Sequence, residues 1–97
     1  MINVRFMPPA RKFIKKIKDK RLKKKLEEAV LEIQKNPTCG TAKKGDLQGI
    51  YGFDVYYNKT NYEISYTIEV IDEEIIVVIM VGTRENFYEE IKRYLKS

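Results

Sequence analysis

Histidine is absent from the sequence, and cysteine occurs once, as Cys39. The first absence removes the usual zinc ligand and the usual general base near neutral pH. The second excludes an internal disulfide, and a solitary thiol beside Gly40 in a polar stretch has neither ligand partner nor base, which makes it an incidental loop residue. No metal site and no cofactor is expected, so any catalysis falls to Tyr, Lys, Arg, Asp or Glu. Long apolar runs are missing too. The longest, Ile75 to Val81, is strand-sized and far short of the roughly 18 residues that a membrane-spanning helix needs. Met1-Ile2-Asn3-Val4-Arg5 lacks the basic head, apolar stretch and small-residue cleavage site of a secretory signal, so the expected location is cytoplasmic, with no membrane partner. At 97 residues the chain has the size of one ordinary domain, and a single core over residues 1–97 is expected.

Charge is present in excess and unevenly. The net charge is +5, but residues 1–35 carry twelve Lys and Arg against four acids, while residues 36–97 carry seven against ten. A basic half of this kind is an electrostatic footprint for a polyanion, either nucleic acid or an acidic partner protein. A solvated helix surface accounts for the same residues, because Arg11, Lys15 and Lys18 on one side and Lys12, Lys16 and Lys20 on the other border an apolar face.

Ile2, Val4 and Phe6 alternate with polar residues, which predicts a short strand, and Pro8-Pro9 ends it. Between Ala10 and Lys35 there is neither glycine nor proline. Phe13, Ile14 and Ile17 form one apolar stripe, and Leu22, Leu26, Ala29, Val30 and Ile33 form another. On one continuous helix, at about 100° per residue, the two stripes would lie roughly 155° apart and could not bury against the same sheet. A break at Asp19, a good N-cap residue, converts the segment into a helical hairpin with both faces on one core. After Asn36-Pro37, residues 38–48 are a loop. Tyr51, Phe53, Val55 and Tyr57, then Tyr62, Ile64, Tyr66 and Ile68, give two half-buried strands joined by a turn at Asn58 to Thr60. Ile75 to Val81 is apolar on both faces and is expected at the centre of the sheet. Asn86 and Glu89 have the spacing of a capping box for a last helix carrying Phe87, Ile91, Tyr94 and Leu95. The expected fold is α+β, with the order β-α-α-β-β-β-α. The hairpin and the C-terminal helix would pack on an antiparallel four-stranded sheet.

That order, with Gly49-Ile50-Tyr51, Asn61-Tyr62-Glu63-Ile64-Ser65-Tyr66, Val81-Gly82-Thr83-Arg84 and the following Tyr88, resembles the RelE/ParE family of toxins from bacterial type II toxin–antitoxin systems. The resemblance spans nearly the whole chain. It implies a toxin neutralised by a cognate antitoxin protein that wraps it. Many members are mRNA interferases, endoribonucleases that cut messenger RNA on the ribosome and inhibit translation, whereas the ParE branch poisons DNA gyrase. RNA-cleaving members usually carry basic residues along the strand after the loop and an Arg after the Tyr matching Tyr62. Here those positions hold Gly52, Asp54 and Glu63. The family positions retained are Arg84 and Tyr88.

Cleaving RNA without a metal requires the 2′-hydroxyl to lose a proton, the phosphorane charge to be balanced and the leaving oxygen to be protonated. Arg84 offers a planar, permanently charged fork for phosphate, although a salt bridge to Glu85 or Glu63 would occupy it equally well. Tyr88 suits an acid, a base or a stacking platform, and its spacing to Ile91 and Leu95 also suits packing. Glu63, expected on the polar face of its strand beside Ser65 and Thr67, is a candidate base or a solvated carboxylate. Lys43 and Lys44 are candidates for sequence-independent RNA phosphate contacts. The leading expectation is a ribosome-dependent mRNA endoribonuclease. The alternatives are a gyrase inhibitor and a catalytically degenerate domain that only binds an antitoxin.

Overall fold

A computed structural model describes residues 1–85 and 87–96. The chain forms β1 (Asn3–Phe6), α1 (Pro8–Lys16), α2 (Lys20–Lys35), β2 (Thr41–Ala42), β3 (Tyr51–Tyr57), β4 (Thr60–Val70), β5 (Glu74–Thr83) and α3 (Phe87–Lys96). The α+β class is as expected from the sequence.

The helical hairpin breaks where the opposed stripes require it. Proline opens α1, where a missing N–H costs nothing. The Asp19 carboxylate caps α2, accepting hydrogen bonds from the Arg21 N–H at 2.9 Å and the Leu22 N–H at 3.3 Å. A third bond, from the Tyr57 hydroxyl at 2.9 Å, ties this cap to the end of β3. Tyr57 contributes most to holding the Asp19 carboxyl below its ordinary range, followed by the backbone N–H of Leu22. With the turn fixed, Phe13, Ile14 and Ile17 pack against the same cluster as Leu22, Leu26, Val30 and Ile33.

The sheet departs from the expected four antiparallel strands. It has five, in the order β1-β5-β4-β3-β2, and β1 runs parallel to β5. The hairpin carries the chain across the sheet to its far edge, and the β3-β4-β5 meander returns with β5 pointing the same way as β1. Apolar alternation is blind to strand direction, and β2 is too short for any period-2 signal. The central position belongs to β4, with β5 beside it and also interior. Asn58 and Lys59, both at positive φ (48° and 64°), make the two-residue turn from β3 to β4. Asn86, the expected cap of α3, lies outside the described residues.

Each face of the sheet carries a core. Tyr66, Ile64, Ile76, Val78 and Val81 meet the hairpin on one side. Ile50, Ile79, Met80, Phe87 and Ile91 form a smaller cluster under α3 on the other. No helix among the described residues is long and apolar enough to cross a membrane.

Candidate active site

The β3–β4 register sets Gly52 opposite Ser65, Asp54 opposite Glu63 and Tyr56 opposite Asn61. Strand alternation puts all six on the face away from the hairpin. A β-bulge decides what joins them from β5. Ser65 pairs with Met80 but Tyr66 with Val78, leaving Ile79 as the extra residue. The inserted residue reverses the alternation, so Val81 returns to the hairpin core while Gly82 and Arg84 fall on the face of Glu63. The Arg84 N–H donates to the Asn61 carbonyl at 3.1 Å and fixes the strand end there.

The loop after α2 brings in a second cation. The buried Tyr66 hydroxyl donates to the Pro37 carbonyl at 2.6 Å and accepts from the Gly40 N–H at 3.0 Å. Burial is the main reason that this phenol is pushed up to about 12. The loop so anchored forms β2 against Tyr51 and Gly52, and Lys43 follows directly. The Lys43 side chain, 21% exposed, approaches the Glu63 Oε2 at 3.6 Å and lies over the Tyr88 ring at 4.7 Å from its centre. Tyr88 itself is delivered by the first turn of α3 and packs edge-on against Phe87 at 5.1 Å.

Glu63 sits at the centre with 1% of its side chain exposed. Arg84 Nε approaches its Oε1 at 3.5 Å, and Arg84 Nη1 reaches Asp54 Oδ2 at 3.8 Å, with both partners of the second pair 56% exposed. Neither Glu63 Oε1 nor the Tyr88 hydroxyl, both buried, has a hydrogen-bond partner among the described residues. A buried oxygen without a hydrogen bond costs stability, and for Glu63 Oε1 the Arg84 ion pair offsets part of that cost. Burial raises the Glu63 carboxyl above its ordinary value, Lys43 and Arg84 pull it down, Asp54 pushes it up, and burial prevails. Gly52 makes room for this assembly. A Cβ there would meet the Glu63 carboxylate, the Tyr88 hydroxyl at 2.5 Å and the Lys43 Cε at 2.9 Å.

Four of the five residues singled out from sequence therefore converge. Lys44 is left exposed in the loop, away from the carboxylate. Glu63 shares a face with Ser65 as expected, but it is buried and ion-paired rather than solvated, because Lys43, Arg84 and Tyr88 close over it. Asp54 and Gly52 are further members of the site. An isolated glycine within an alternating strand was the one available signal for such a close approach. Chemically, the cluster offers a proton acceptor with a raised pKa, two cations and a phenol within one small volume.

A sequence model for the ParE-like toxin of type II bacterial toxin–antitoxin systems matches residues 4–92. The chain belongs to this family. No curated protein matches the sequence. Among solved structures, this ParE-like toxin is similar to the free-state double-arginine mutant of Escherichia coli RelE (23% identity, TM-score 0.69, 95% of this chain and 96% of that one). It is also similar to a chain of the RelBE toxin–antitoxin complex of Mycobacterium tuberculosis (24% identity, TM-score 0.66, covering 86% and 98%). A third likeness is to the intact RelBE complex of E. coli (23% identity, TM-score 0.64, covering 84% and 95%). At these identities the likeness is one of fold.

Proposed function

We propose that this toxin is a metal-independent endoribonuclease that cuts messenger RNA on the ribosome and is held inactive by a cognate antitoxin. The observation that carries the reading is the buried Glu63 carboxylate, flanked by Arg84 at 3.5 Å and Lys43 at 3.6 Å and adjoined by a Tyr88 hydroxyl without a hydrogen-bond partner among the described residues. A phosphate entering this site competes with Glu63 for both cations, and the half-exposed Arg84 is free to swing onto it. Glu63, relieved of its cations and already poised by burial to hold a proton, accepts one from the 2′-hydroxyl as that oxygen attacks phosphorus. Arg84 and Lys43 balance the phosphorane charge, and Tyr88 stands where the departing 5′-oxygen needs a proton. The net +8 of residues 1–35 supports attraction to an RNA-rich target through counterion release.

The antitoxin is supported by a groove of about 460 Å³ between α1 and α2. It is lined by Ile14, Leu26 and Val30, and of its charged residues three are basic, Arg11, Lys15 and Lys23, against one acid, Glu27. An amphipathic helix with an acidic border fits such a groove. Two of the similar solved structures are toxin–antitoxin complexes.

One observation favours gyrase inhibition as a second reading. Asp54 and Glu63 match Lys43 and Arg84 charge for charge, so the cluster is formally neutral where RNA-binding sites are usually basic. Primer extension on messages after brief expression separates the two. New in-frame 5′ ends for wild type, about 10²–10³ fewer for Arg84→Ala and partial recovery in Arg84→Lys are expected of the nuclease. Intact messages with damaged DNA would overturn it.

A further inference from the structure

Ten of the eleven aromatic rings are buried or partly buried, and the exception is Tyr56, 64% exposed. It stands on β3, on the face of the ion cluster and one step along from Asp54, and its cross-strand neighbour is Asn61. Asn61 in turn holds the Arg84 N–H through its carbonyl. Tyr56, Asn61 and Arg84 thus form one row across the sheet, and Asp54, Glu63 and Gly82 form the next. The rows are two strand residues apart, about 6.7 Å, a separation of the order of one extended nucleotide. Neither the Tyr56 hydroxyl nor the Asn61 side-chain amide is hydrogen-bonded among the described residues.

Among the described residues no strand pairs with β3 beyond Gly52, and α2 borders that edge instead, where the Lys25 ammonium donates to the Tyr56 carbonyl at 3.4 Å. Leaving a Tyr ring in water forgoes the gain from burying it, and a single exposed aromatic needs no special explanation by itself. Its place does. The ring lies two strands from the half-exposed Arg84 in the same row, with Asn61 between them, within reach of a base whose neighbouring phosphate sits on Arg84. Bases have π-faces that stack on Tyr irrespective of sequence, and an unengaged amide beside the ring adds a donor and an acceptor for a base edge.

We propose that Tyr56 and Asn61 form a nucleobase subsite, in which the base adjoining the scissile phosphate stacks on the Tyr56 ring and presents its edge to the Asn61 amide. This subsite rests on the nuclease reading for its position relative to the scissile bond, but its occupancy is measured independently of cleavage. Wild-type protein is titrated with a short single-stranded oligoribonucleotide carrying 2-aminopurine. The strand is 2′-O-methylated throughout, so that it has no hydroxyl nucleophile. Fluorescence quenching on binding is expected. Tyr56→Ala should weaken binding by about tenfold to a hundredfold and lose most of the quench, whereas Tyr56→Phe keeps both. Asn61→Ala should narrow the preference among bases with little change in affinity for the preferred length.

An unchanged affinity in Tyr56→Ala would overturn the subsite, as would loss of affinity for a protein partner with RNA binding intact. Wild-type protein that binds through Tyr56 but cuts no messenger RNA on ribosomes refutes the nuclease and leaves the subsite standing. Protein that cuts RNA with the same KM in Tyr56→Ala does the reverse. Absence of any binding by wild type removes both.

Discussion

Replacing Gly52 with alanine tests whether the ion cluster is the working centre of the molecule. Gly52 is not one of the glycines at positive φ, which are Gly45 and Gly49, so alanine meets no backbone penalty there. What it lacks is room. The new methyl would lie 2.5 Å from the Tyr88 hydroxyl, which must retreat by about 0.9 Å to reach the 3.4 Å at which ordinary contact begins. Lys43 Cε and the Glu63 carboxylate must move as well, and all three are the far ends of side chains rather than backbone. The fold can therefore survive at an overpacking cost of about 1–3 kcal/mol, with a melting temperature lower by about 4–8 °C per kcal/mol. Catalytic geometry is less forgiving, since a misplacement of about 1 Å can cost on the order of 10² in rate. The expected variant is folded, melts somewhat lower, and cuts RNA about a hundredfold more slowly. Full cleavage at an unchanged melting temperature would refute the convergence on Gly52, and a protein that no longer melts cooperatively would make the glycine a requirement of the fold.

Two further substitutions read the buried groups by pH. Because burial raises Glu63 above its ordinary value of 4.5, its protonated form stabilises the fold fully below that pH, and the contribution is lost as pH rises through the folded value. The melting temperature of Glu63→Gln should therefore gain on wild type between pH 4.5 and 8, and a gap that shrinks over this range would show the carboxyl to be held down by its cations instead. Tyr66→Phe leaves the Pro37 carbonyl and Gly40 N–H without their partner, at about 1–3 kcal/mol. With the phenol pushed up from 10 to about 12, its stabilising contribution is lost above pH 10, so the gap between wild type and variant should hold from pH 6 to 9 and narrow beyond pH 10. A constant gap up to pH 12 would contradict the burial.

Much of the scaffold was legible because its signals are local. Two apolar stripes nearly opposite each other demanded a break, and a residue able to cap a helix stood between them at Asp19. Period-2 alternation located β3 and β4. Strand direction was not legible, since a parallel β1 and an antiparallel β1 have the same alternation, and the direction follows only from the path of the whole chain. The site was legible as a set of residue types but not as an environment. Glu63 reads as a polar-face carboxylate in any antiparallel strand, and nothing local to residue 63 announces that Lys43, twenty positions earlier, will close over it. That approach depends on Tyr66 clamping Pro37 and Gly40, a contact that bridges 29 and 26 positions.

The Ile79 bulge shows how a site can depend on a residue that takes no part in it. The apolar run of β5 satisfies both cores at once, with Ile76, Val78 and Val81 toward the hairpin and Ile79 and Met80 toward α3. That partition is impossible for strict alternation, because Val78 and Val81 are an odd number of positions apart yet share a face. One extra residue resolves it, and the same shift reverses every later position of the strand. Without the bulge Arg84 would leave the Glu63 face and point with the hairpin core, away from Glu63 and Asp54. The packing requirement of two apolar clusters thus fixes the side on which the charged fork emerges. Residues of β5 outside the ion cluster consequently set where Arg84 stands as firmly as the contacts of Arg84 itself.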